Sequence, residues 1–479
     1  MIEDLLEYIE GPARWTVTAL ALMVFLFLVA RRKTTRRKLF EGPAKLVDII
    51  VKWRKKPGGQ ILVEPWMETP EIKAVLAAIT KNGKEARFIG GCVRDALLKK
   101  PVTDIDIATP ETPDQITSLL ENAGIKAVPV GIEYGTVMAV INRQSFEITT
   151  LRKDIKTDGR HAEVEFTEDW RQDAARRDFT FNTISATPDG MIYDYFNGIQ
   201  DLADQAIRFV GRAPERIDED RLRILRYFRF IATLGMRGES KMEFQACIDR
   251  APALKELSAE RIKSELFKIL DSTMQLDVVA LMYNHGVLKV ILPYVTSPER
   301  LRQLAWLETS AIKFECVRPD PLRRLAALVA TDEQGTVEIT EALKLSNAEH
   351  RRLAAMIAPQ WEADWQISDD NLRATLYRVG AATVIDLVLL EWAGMLVASP
   401  TGLGEVQDGW VRIIETADQA LSGGDITFPL KGQDVLDLGV APGREVADLL
   451  GQVEEWWQAQ GCHADREACL EKLAGDVLK

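Results

Sequence analysis

The chain has 479 residues, of which 47% are apolar and 28% are charged, and its formal net charge is −12. This composition predicts a globular protein of roughly two to four domains and argues against a protein that coats nucleic acid over its whole surface. The first 66 residues hold 12 Lys and Arg against 7 Asp and Glu, which leaves 48 against 65 in the remainder. Any bound nucleic acid must therefore be held by a local basic track.

The cysteines and histidines exclude several classes of site. No two of the five cysteines form a CxxC pair, and the four histidines are scattered without a His-Asp doublet. Zinc modules and disulfide frameworks need such residues at close, regular spacing. We therefore expect reduced, buried thiols in a cytosolic protein at Cys92, Cys247, Cys316, Cys462 and Cys469.

Residues 15–30 are uncharged and almost wholly apolar, and two basic clusters follow within residues 31–38. The apolar run approaches the length of about 20 residues that a transmembrane helix needs. The basic flank predicts that everything after this segment stays in the cytoplasm. We therefore predict one anchor at residues 13–30, in the inner membrane. Two alternatives stay open: translation begins later, for example at Met67, or the segment is a buried core helix.

Residues 39–60 combine a short apolar run with Lys and Arg and end in Pro57-Gly58-Gly59. This pattern is typical of a basic amphipathic helix beside a membrane, followed by a flexible linker. A solvated connector has the same composition. From Ile61 onward the pattern becomes that of a globular domain.

Local signals predict the first elements of this globular part. A Thr-Pro-Glu start predicts a helix over 70–81, and a second helix is predicted over 113–124. Alternating apolar residues predict a hairpin of strands 134–141 and 146–151, with its turn at 142–145.

The remaining elements are mostly helical. Polar residues 152–170 predict a mobile loop. After about residue 206 strand signals nearly vanish, and helical periods continue to the end, with breaks at 399–402 and 422–424. The sequence therefore predicts an α+β head followed by an all-α remainder.

Residues 87–107 carry the strongest chemical signal. They read as a short strand, a Gly-Gly turn, a helix with Arg94 and Asp95, and a second strand with Asp104 and Asp106. Two acids at i and i+2 on a strand share a face and repel each other unless a hard cation such as Mg²⁺ lies between them. A Gly-Gly turn that opens a helix offers free N–H groups to phosphates. The stretch therefore suggests phosphoryl or nucleotidyl transfer.

Five motifs in order resemble the class II tRNA nucleotidyltransferase and bacterial poly(A) polymerase family. They are GGCVRD (90–95), DID (104–106), ARRDFTFN (175–182), YDYFNGIQDL (193–202) and EDRLRILRYFRF (219–230). The resemblance is strong over residues 62–275 and weaker to the C-terminus, where residues 430–446 resemble the family's tail. It implies a polymerase-β-like nucleotidyltransferase head followed by a helical neck, body and tail.

We place the domain boundaries accordingly. Residues 1–60 lie outside the resemblance and form the N-terminal extension. The remaining parts are predicted as the catalytic head (61–205), the neck with the base-reading helix (206–275), the body (276–400) and the tail (401–479).

The resemblance also implies roles for the acidic and phosphate-binding residues of the head. Asp104 and Asp106 are expected to bind Mg²⁺, which orients the α-phosphate, activates the attacking 3′-hydroxyl and neutralises pyrophosphate. Glu147 is expected as a third acid on the neighbouring strand, although a cross-strand salt bridge is an equal alternative. Gly91 lets the triphosphate approach the backbone, and Arg94 is expected to hold a phosphate.

The resemblance also places base selection elsewhere. Arg177 is expected to contact the nucleotide, and Asp220 and Arg223 are expected to read the base edge on a helix that begins near Glu219. Arg223 can donate to cytosine or adenine while Asp220 accepts from the exocyclic amine, whereas guanine and uracil mismatch this pattern. The residues that would contact phosphate or brace the reading pair are Arg226 and Arg229. For each of these charged residues, the alternative interpretation is a solvated side chain on the protein surface.

The expected activity is template-independent addition of C, C and A to the 3′ end of tRNA from CTP and ATP, with Mg²⁺. The sibling alternatives are poly(A) polymerase and an enzyme that adds only CC or only A. An alternative of another class is a membrane-tethered RNA-binding module without catalysis. The sequence does not predict the oligomeric state.

Overall fold

The computed structural model describes residues 58–157, 162–236, 241–272, 275–399, 404–424 and 426–477. The predicted membrane anchor at 13–30 lies outside the described residues. The protein divides into two units. Of the described residues, the first unit, here called the sheet unit, contains 58–151, 166–174 and 182–198. The second, the helical unit, contains 152–157, 162–165, 175–181 and the described residues from 199 onward.

The described strands form one large sheet and one hairpin. They are β1 Gly59–Gln60, β2 Arg87–Ile89, β3 Asp106–Thr109, β4 Lys126–Gly131, β5 Thr136–Ile141, β6 Gln144–Thr150, β7 Arg152–Thr157, β8 Ala162–Phe166, β9 Ser185–Ala186 and β10 Met191–Tyr193. The large sheet has the order β1-β10-β9-β2-β3-β6-β5-β4. Its β3–β6 pair is parallel, and its other pairs are antiparallel.

Four helices belong to the same unit as this sheet: α1 Pro70–Ile79, α2 Gly91–Leu97, α3 Pro113–Asn122 and α4 Trp170–Ala175. The Thr69 hydroxyl caps α1 by accepting from the Ile72 N–H. A reciprocal capping box of Thr112 and Gln115 begins α3. Both predicted helices are therefore confirmed, although each ends two residues before its predicted end.

Three predictions for the head need correction. Strand β3 begins at Asp106, so Asp104 precedes the strand. The hairpin turn contains only Asn142 and Arg143, both at positive φ, because β6 already begins at Gln144. Much of the predicted loop 152–170 is ordered, since β7 and β8 form a two-stranded sheet there.

The helical unit contains the other described helices, and among the described residues it has no strand after β8. The helices are α5 Gly198–Ala203, α6 Ala213–Glu219, α7 Leu222–Leu234, α8 Lys241–Arg250, α9 Ala259–Asp271, α10 Gln275–Asn284, α11 Val287–Ile291, α12 Glu299–Trp306, α13 Pro321–Ala326, α14 Glu333–Leu343, α15 Asn347–Ile357, α16 Asp369–Val379, α17 Ala381–Ala398, α18 Gly404–Gly423, α19 Gly432–Asp437, α20 Arg444–Ala459 and α21 Arg466–Val477.

The predicted base-reading helix begins later than expected. Helix α6 ends at Glu219, Asp220 is extended (φ −152°, ψ 107°), and α7 begins at Leu222. The Asp220 carboxylate accepts the Leu222 N–H at 3.1 Å, as short acidic side chains do at helix starts. Asp220 therefore lies in a break between two helices rather than within one.

Helix α17 is long and apolar enough to cross a bilayer, the one such helix among the described residues, but 56% of it is buried in the protein. An apolar helix at the centre of a folded domain meets the same criteria. Its Asp386 is buried and accepts from Arg323 and Arg352, each at 2.7 Å. This ion pairing is typical of a core position in the helical unit.

Candidate active site

The turn from β2 into α2 depends on glycine at position 90. Gly90 adopts φ 70° and ψ −123°, a conformation that residues with a Cβ rarely reach. Its N–H donates to the Ile184 carbonyl at 3.3 Å. A Cβ on Gly91 would meet only Arg94 Nη2, at an ordinary 3.8 Å. The backbone therefore requires glycine at Gly90, whereas the sequence motif points to Gly91.

Arg94 is oriented by two partners within the sheet unit. Its Nε and Nη2 donate to the Asp95 carboxylate, each at 2.9 Å. Its Nη1 donates to the Asn182 side-chain oxygen at 2.9 Å. Proximity in sequence allows the Arg94–Asp95 pair, but nothing local indicates the contact with Asn182, 88 residues away. The planar guanidinium is thus held at the start of α2, where a phosphate is expected.

Two of the predicted acids lie on one face of the sheet. Asp106 of β3 pairs in register with Glu147 of the parallel strand β6, and residues paired in this way point to the same side. The next pair, Ile107 and Ile148, points to the other side and is fully buried. Asp106 is half-buried and Glu147 is exposed. The strand pattern therefore directs the carboxylates away from the core.

Asp104 lies two residues before Asp106, is exposed, and precedes the strand. Among the described residues, no group of three or more His, Cys, Asp or Glu side chains is placed to hold a metal ion. The structure therefore does not by itself bring Asp104, Asp106 and Glu147 together as a ligand set. The carboxylate oxygens of these residues nevertheless fit a hard divalent cation.

Aromatic side chains gather beside β2 in the sheet unit. Trp170 of α4 packs on a buried cluster of Ile89, Ala108 and Leu151. The Arg87 guanidinium lies 4.1 Å from the centre of the Trp170 ring and 3.5 Å from that of the Tyr193 ring. Sequence reasoning missed this cation–π cluster, because its members are far apart in the sequence.

The predicted base-reading residues are engaged by other charges of the helical unit. Asp220 Oδ2 accepts from Arg261 Nη2 at 2.8 Å. Arg223, only 9% exposed, donates from Nη1 to the Glu219 carboxylate and to the Arg216 carbonyl, each at 2.7 Å. Asp220 and Arg223 are linked by the Arg223 N–H, which donates to the Asp220 carbonyl at 3.1 Å. Neighbouring protein groups thus hold both side chains in one orientation.

The two predicted bracing arginines are paired as well. Arg226 Nε donates to Asp178 at 2.6 Å, and Arg229 Nε lies 2.7 Å from Glu265. Burial lowers the pKa of Arg226, but the neighbouring carboxylates, Asp178 first, more than offset this and raise it overall. Asp178 Oδ1 also accepts the Phe179 N–H.

Arg177 is half-buried beside this network. Its backbone carbonyl accepts from Arg216 Nη2 at 2.7 Å, so its backbone position is fixed by the same cluster of charges that holds Arg223.

Two cavities of the helical unit lie apart from these residues. One, of about 620 Å³, is lined by Arg373, Thr416, Trp457 and others near the C-terminus. The other, of about 280 Å³, is lined by Arg300, Trp361 and their neighbours. No predicted site residue lines either of these two cavities.

Comparison with known proteins identifies the family. The family described as "Poly A polymerase head domain" matches residues 86–208, and the one described as "Probable RNA and SrmB-binding site of polymerase A" matches residues 242–298. The CCA tRNA nucleotidyltransferase 1, mitochondrial, of Mus musculus is 34% identical over 408 residues, which are 85% of this chain and 90% of that protein.

Solved structures share the fold. The Bacillus stearothermophilus CCA-adding enzyme in complex with CTP aligns with a TM-score of 0.62 and 23% identity, over 86% of this chain and 98% of that one. The Thermotoga maritima CCA-adding enzyme in complex with tRNA aligns with a TM-score of 0.55 and 19% identity, over 85% of this chain and 96% of that one. The relative from Mus musculus spans most of both sequences, and the chain belongs to the CCA tRNA nucleotidyltransferase family.

Proposed function

We propose that this protein adds C, C and A to the 3′ end of tRNA from CTP and ATP and releases pyrophosphate. The reaction type is carried by one observation: Asp106 and Glu147 lie in register on the outward face of the sheet. The substrates are supported by relatives whose names and complexes include CCA addition, tRNA and CTP. Members of this family use divalent metal ions.

Within the sheet unit, we assign Asp104 and Asp106 as the ligands of Mg²⁺ and Glu147 as a third acid. When bound, the ion would polarise the α-phosphate and neutralise the charge of the leaving pyrophosphate. Arg94, oriented by Asp95 and Asn182, donates to a phosphate of the incoming nucleotide. Gly91, which carries no side chain at the start of α2, leaves the backbone N–H accessible to the triphosphate.

Base selection is assigned to the helical unit. Asp220 accepts a hydrogen bond from the exocyclic amine of cytosine or adenine, and Arg223 donates to the acceptors of the same base edge. Uracil and guanine present a carbonyl to the Asp220 carboxylate, so two acceptors would face each other. Arg177 contacts the nucleotide. Arg226 and Arg229, through Asp178 and Glu265, brace the helix that carries Arg223.

The domain boundaries and the cellular location are also proposals. The match of the head family to residues 86–208 supports a catalytic head at 61–205. We retain the boundaries given above for the neck, body and tail. The apolar sequence of residues 15–30 and the basic clusters after it support a cytoplasmic enzyme tethered to the inner membrane.

The decisive experiment uses three RNAs: a tRNA transcript that ends before CCA, one that ends after CC, and an unrelated RNA. Each is incubated with Mg²⁺ and a single nucleotide. We expect CMP on the first, AMP on the second, and no extension of the third. Long A tails on the unrelated RNA would identify a poly(A) polymerase instead. Absence of CMP addition throughout would leave an A-adding enzyme, and absence of any incorporation would favour a tethered RNA-binding module.

The tether has a separate test. The native protein is isolated, its N-terminal residue is determined, and the cells are fractionated. An N-terminus upstream of residue 13 together with recovery in the membrane fraction supports the tether. A product that begins near Met67 and stays in the supernatant contradicts it without affecting the assignment of the reaction.

A further inference from the structure

Helix α9 supplies partners to the proposed base-reading residue Asp220 and to the proposed bracing residue Arg229. Arg261 contacts Asp220 at 2.8 Å, and Glu265 contacts Arg229 at 2.7 Å. Arg261 and Glu265 are four residues apart, so they lie on the same side of α9. One side of α9 therefore contacts the break before α7 through Asp220 and α7 itself through Arg229.

The contacts of Asp220 fix its carboxylate from two directions. Oδ1 accepts the Leu222 N–H at 3.1 Å, and Oδ2 accepts from Arg261 Nη2 at 2.8 Å. The backbone contact alone is compatible with rotation about the remaining side-chain bond. A guanidinium on the second oxygen removes that freedom, because charge-assisted hydrogen bonds are strong and directional. Asp220 and Arg261 are both partly buried, with side-chain exposures of 23% and 27%.

Helix α9 is itself firmly held in the helical unit. The Lys263 ammonium contacts Glu349 of α15 at 2.7 Å. At its C-terminal end, the carbonyls of Leu270 and Ser272 accept from Arg324. Arg324 is fully buried and also donates to Glu308 at 2.7 Å. Arg261 therefore extends from a rigid support.

We propose that Arg261 is the positioning residue that sets base selectivity, an inference that rests on the proposed function of Asp220. Arg261 fixes the acceptor that distinguishes the amine of cytosine and adenine from the carbonyl of uracil and guanine. Without Arg261, the Asp220 carboxylate turns away from the base edge, and the penalty for a mismatched carbonyl decreases. Loss of Arg261 therefore relaxes selectivity beyond its effect on the rate with the correct nucleotide.

The test compares Arg261→Gln, Arg261→Lys and a matched control in the full-length protein. The control is Arg250→Gln, because Arg250 pairs with Asp218, two residues before Asp220, at 2.9 and 3.2 Å. This second Arg–Asp pair lies beside the same break but does not touch the proposed reader. Values of kcat and KM are measured for CTP and UTP on tRNA lacking CCA, and for ATP and GTP on tRNA ending in CC.

For Arg261→Gln we expect the ratio of kcat/KM between CTP and UTP to fall by about tenfold or more. Arg261→Lys, which keeps the charge without the planar fork, retains an intermediate ratio. Arg250→Gln retains the wild-type ratio. Asp220→Asn also lowers the ratio, and adding Arg261→Gln to it lowers the ratio no further, because the two residues act through one contact.

A uniform loss with all four nucleotides, at an unchanged ratio, would assign Arg261 a merely structural role and overturn the proposal. The same conclusion follows if Arg250→Gln relaxes the ratio as much as Arg261→Gln. If Arg261→Gln fails to fold, as judged by its thermal unfolding midpoint, the ratio measured for Arg261→Lys decides. A wild-type protein that shows no preference for C and A would instead refute the proposed function.

Discussion

The acids proposed for catalysis and the charged residues proposed to read the base or brace its readers differ in their exposure and in their ion pairing. Asp104 and Glu147 are exposed and take part in no ion pair that the described residues show. In the helical unit, each of the two proposed base-reading residues and each of the two proposed bracing arginines contacts an opposite charge. These contacts are Asp220–Arg261, Arg223–Glu219, Arg226–Asp178 and Arg229–Glu265.

The difference agrees with the role proposed for each group. A carboxylate that ligates a cation keeps its lone pairs available, and water can occupy them until the ion binds. A side chain that discriminates between bases must keep one orientation, and neighbouring charges hold it there before the base binds. The exposed carboxylates of the sheet unit are thus open to a cation, whereas the ion-paired side chains of the helical unit are held in one arrangement.

Removal of the carboxylates proposed as metal ligands should have the strongest consequence for activity. Replacement of both Asp104 and Asp106 by Ala should reduce nucleotide incorporation by about 1000-fold or more, because the metal ligands are lost. Incorporation is measured with tRNA lacking CCA, and tRNA affinity is measured in parallel by gel shift. Affinity should be retained, and the exposed Glu121→Gln on α3 serves as the control. Full activity of the double variant would refute the metal assignment.

Glu147→Gln tests whether the third acid belongs to the same group. We expect a loss of kcat of about 10- to 100-fold, because Gln keeps the shape but removes the negative charge beside Asp106. The structure shows no ion pair of Glu147 with another described residue. A loss of activity in Glu147→Gln would therefore not be explained by a broken salt bridge. The comparison variant is Glu133→Gln, another exposed acid of the sheet unit. Equal activity of the two variants would remove Glu147 from the site.

Asp178→Asn tests the ion pair that holds Arg226 in the helical unit. Asn still accepts the Phe179 N–H, but it no longer neutralises Arg226. We expect KM to rise about five- to tenfold for CTP and ATP alike, with kcat little changed, because bracing affects both bases equally. A change confined to one nucleotide would show that Arg226 reads the base rather than braces the helix. Steady-state kinetics with single nucleotides distinguish these outcomes.

Cys92 provides the smallest expected effect. Burial raises the pKa of its thiol to about 12, so the thiol stays protonated in the native protein at pH 9, where an unperturbed thiol is half ionised. We expect iodoacetamide to leave native activity unchanged at this pH and to modify Cys92 only after unfolding. Mass spectrometry of peptides from native and unfolded protein measures the modification. Rapid native labelling with loss of activity would contradict the buried state.

The same pKa shift predicts a change of stability with pH. The unfolded thiol ionises near pH 9, whereas the folded thiol ionises near 12. Between these values the unfolded state binds fewer protons, so the Cys92 contribution is intact below pH 9 and is lost as the pH rises toward 12. Replacing Cys92 by Ala should flatten this part of the stability profile measured by chemical denaturation.

Local signals in the sequence were enough to place several elements. The Thr-Pro-Glu start at Thr69 marked the start of α1, and alternation marked β5 and β6. The ordered motifs indicated the family and the proposed site residues. Such signals depend only on neighbours in the sequence, which is why they succeeded over short ranges.

The contacts that orient the site were not predictable in this way. Arg261 is 41 residues from Asp220, and Arg94 is 88 residues from Asn182. The helix predicted to begin near Glu219 begins at Leu222 instead, because periodic charges continue through the break at Asp220, where a side-chain hydrogen bond competes with the helix. Nothing in the spacing of charges says which of them become partners.

The parallel pairing of β3 with β6 has a consequence for synthesis on the ribosome. Parallel neighbours need a crossover, and here the segment between Asp106 and Glu147 contains α3, β4 and β5. Translation therefore delivers the first acid well before the second, and the pair forms only after the intervening segment has emerged and folded. A nascent polypeptide that stops before β6 carries Asp106 without its paired Glu147, so the proposed acid pair can form only after β6 has been synthesised.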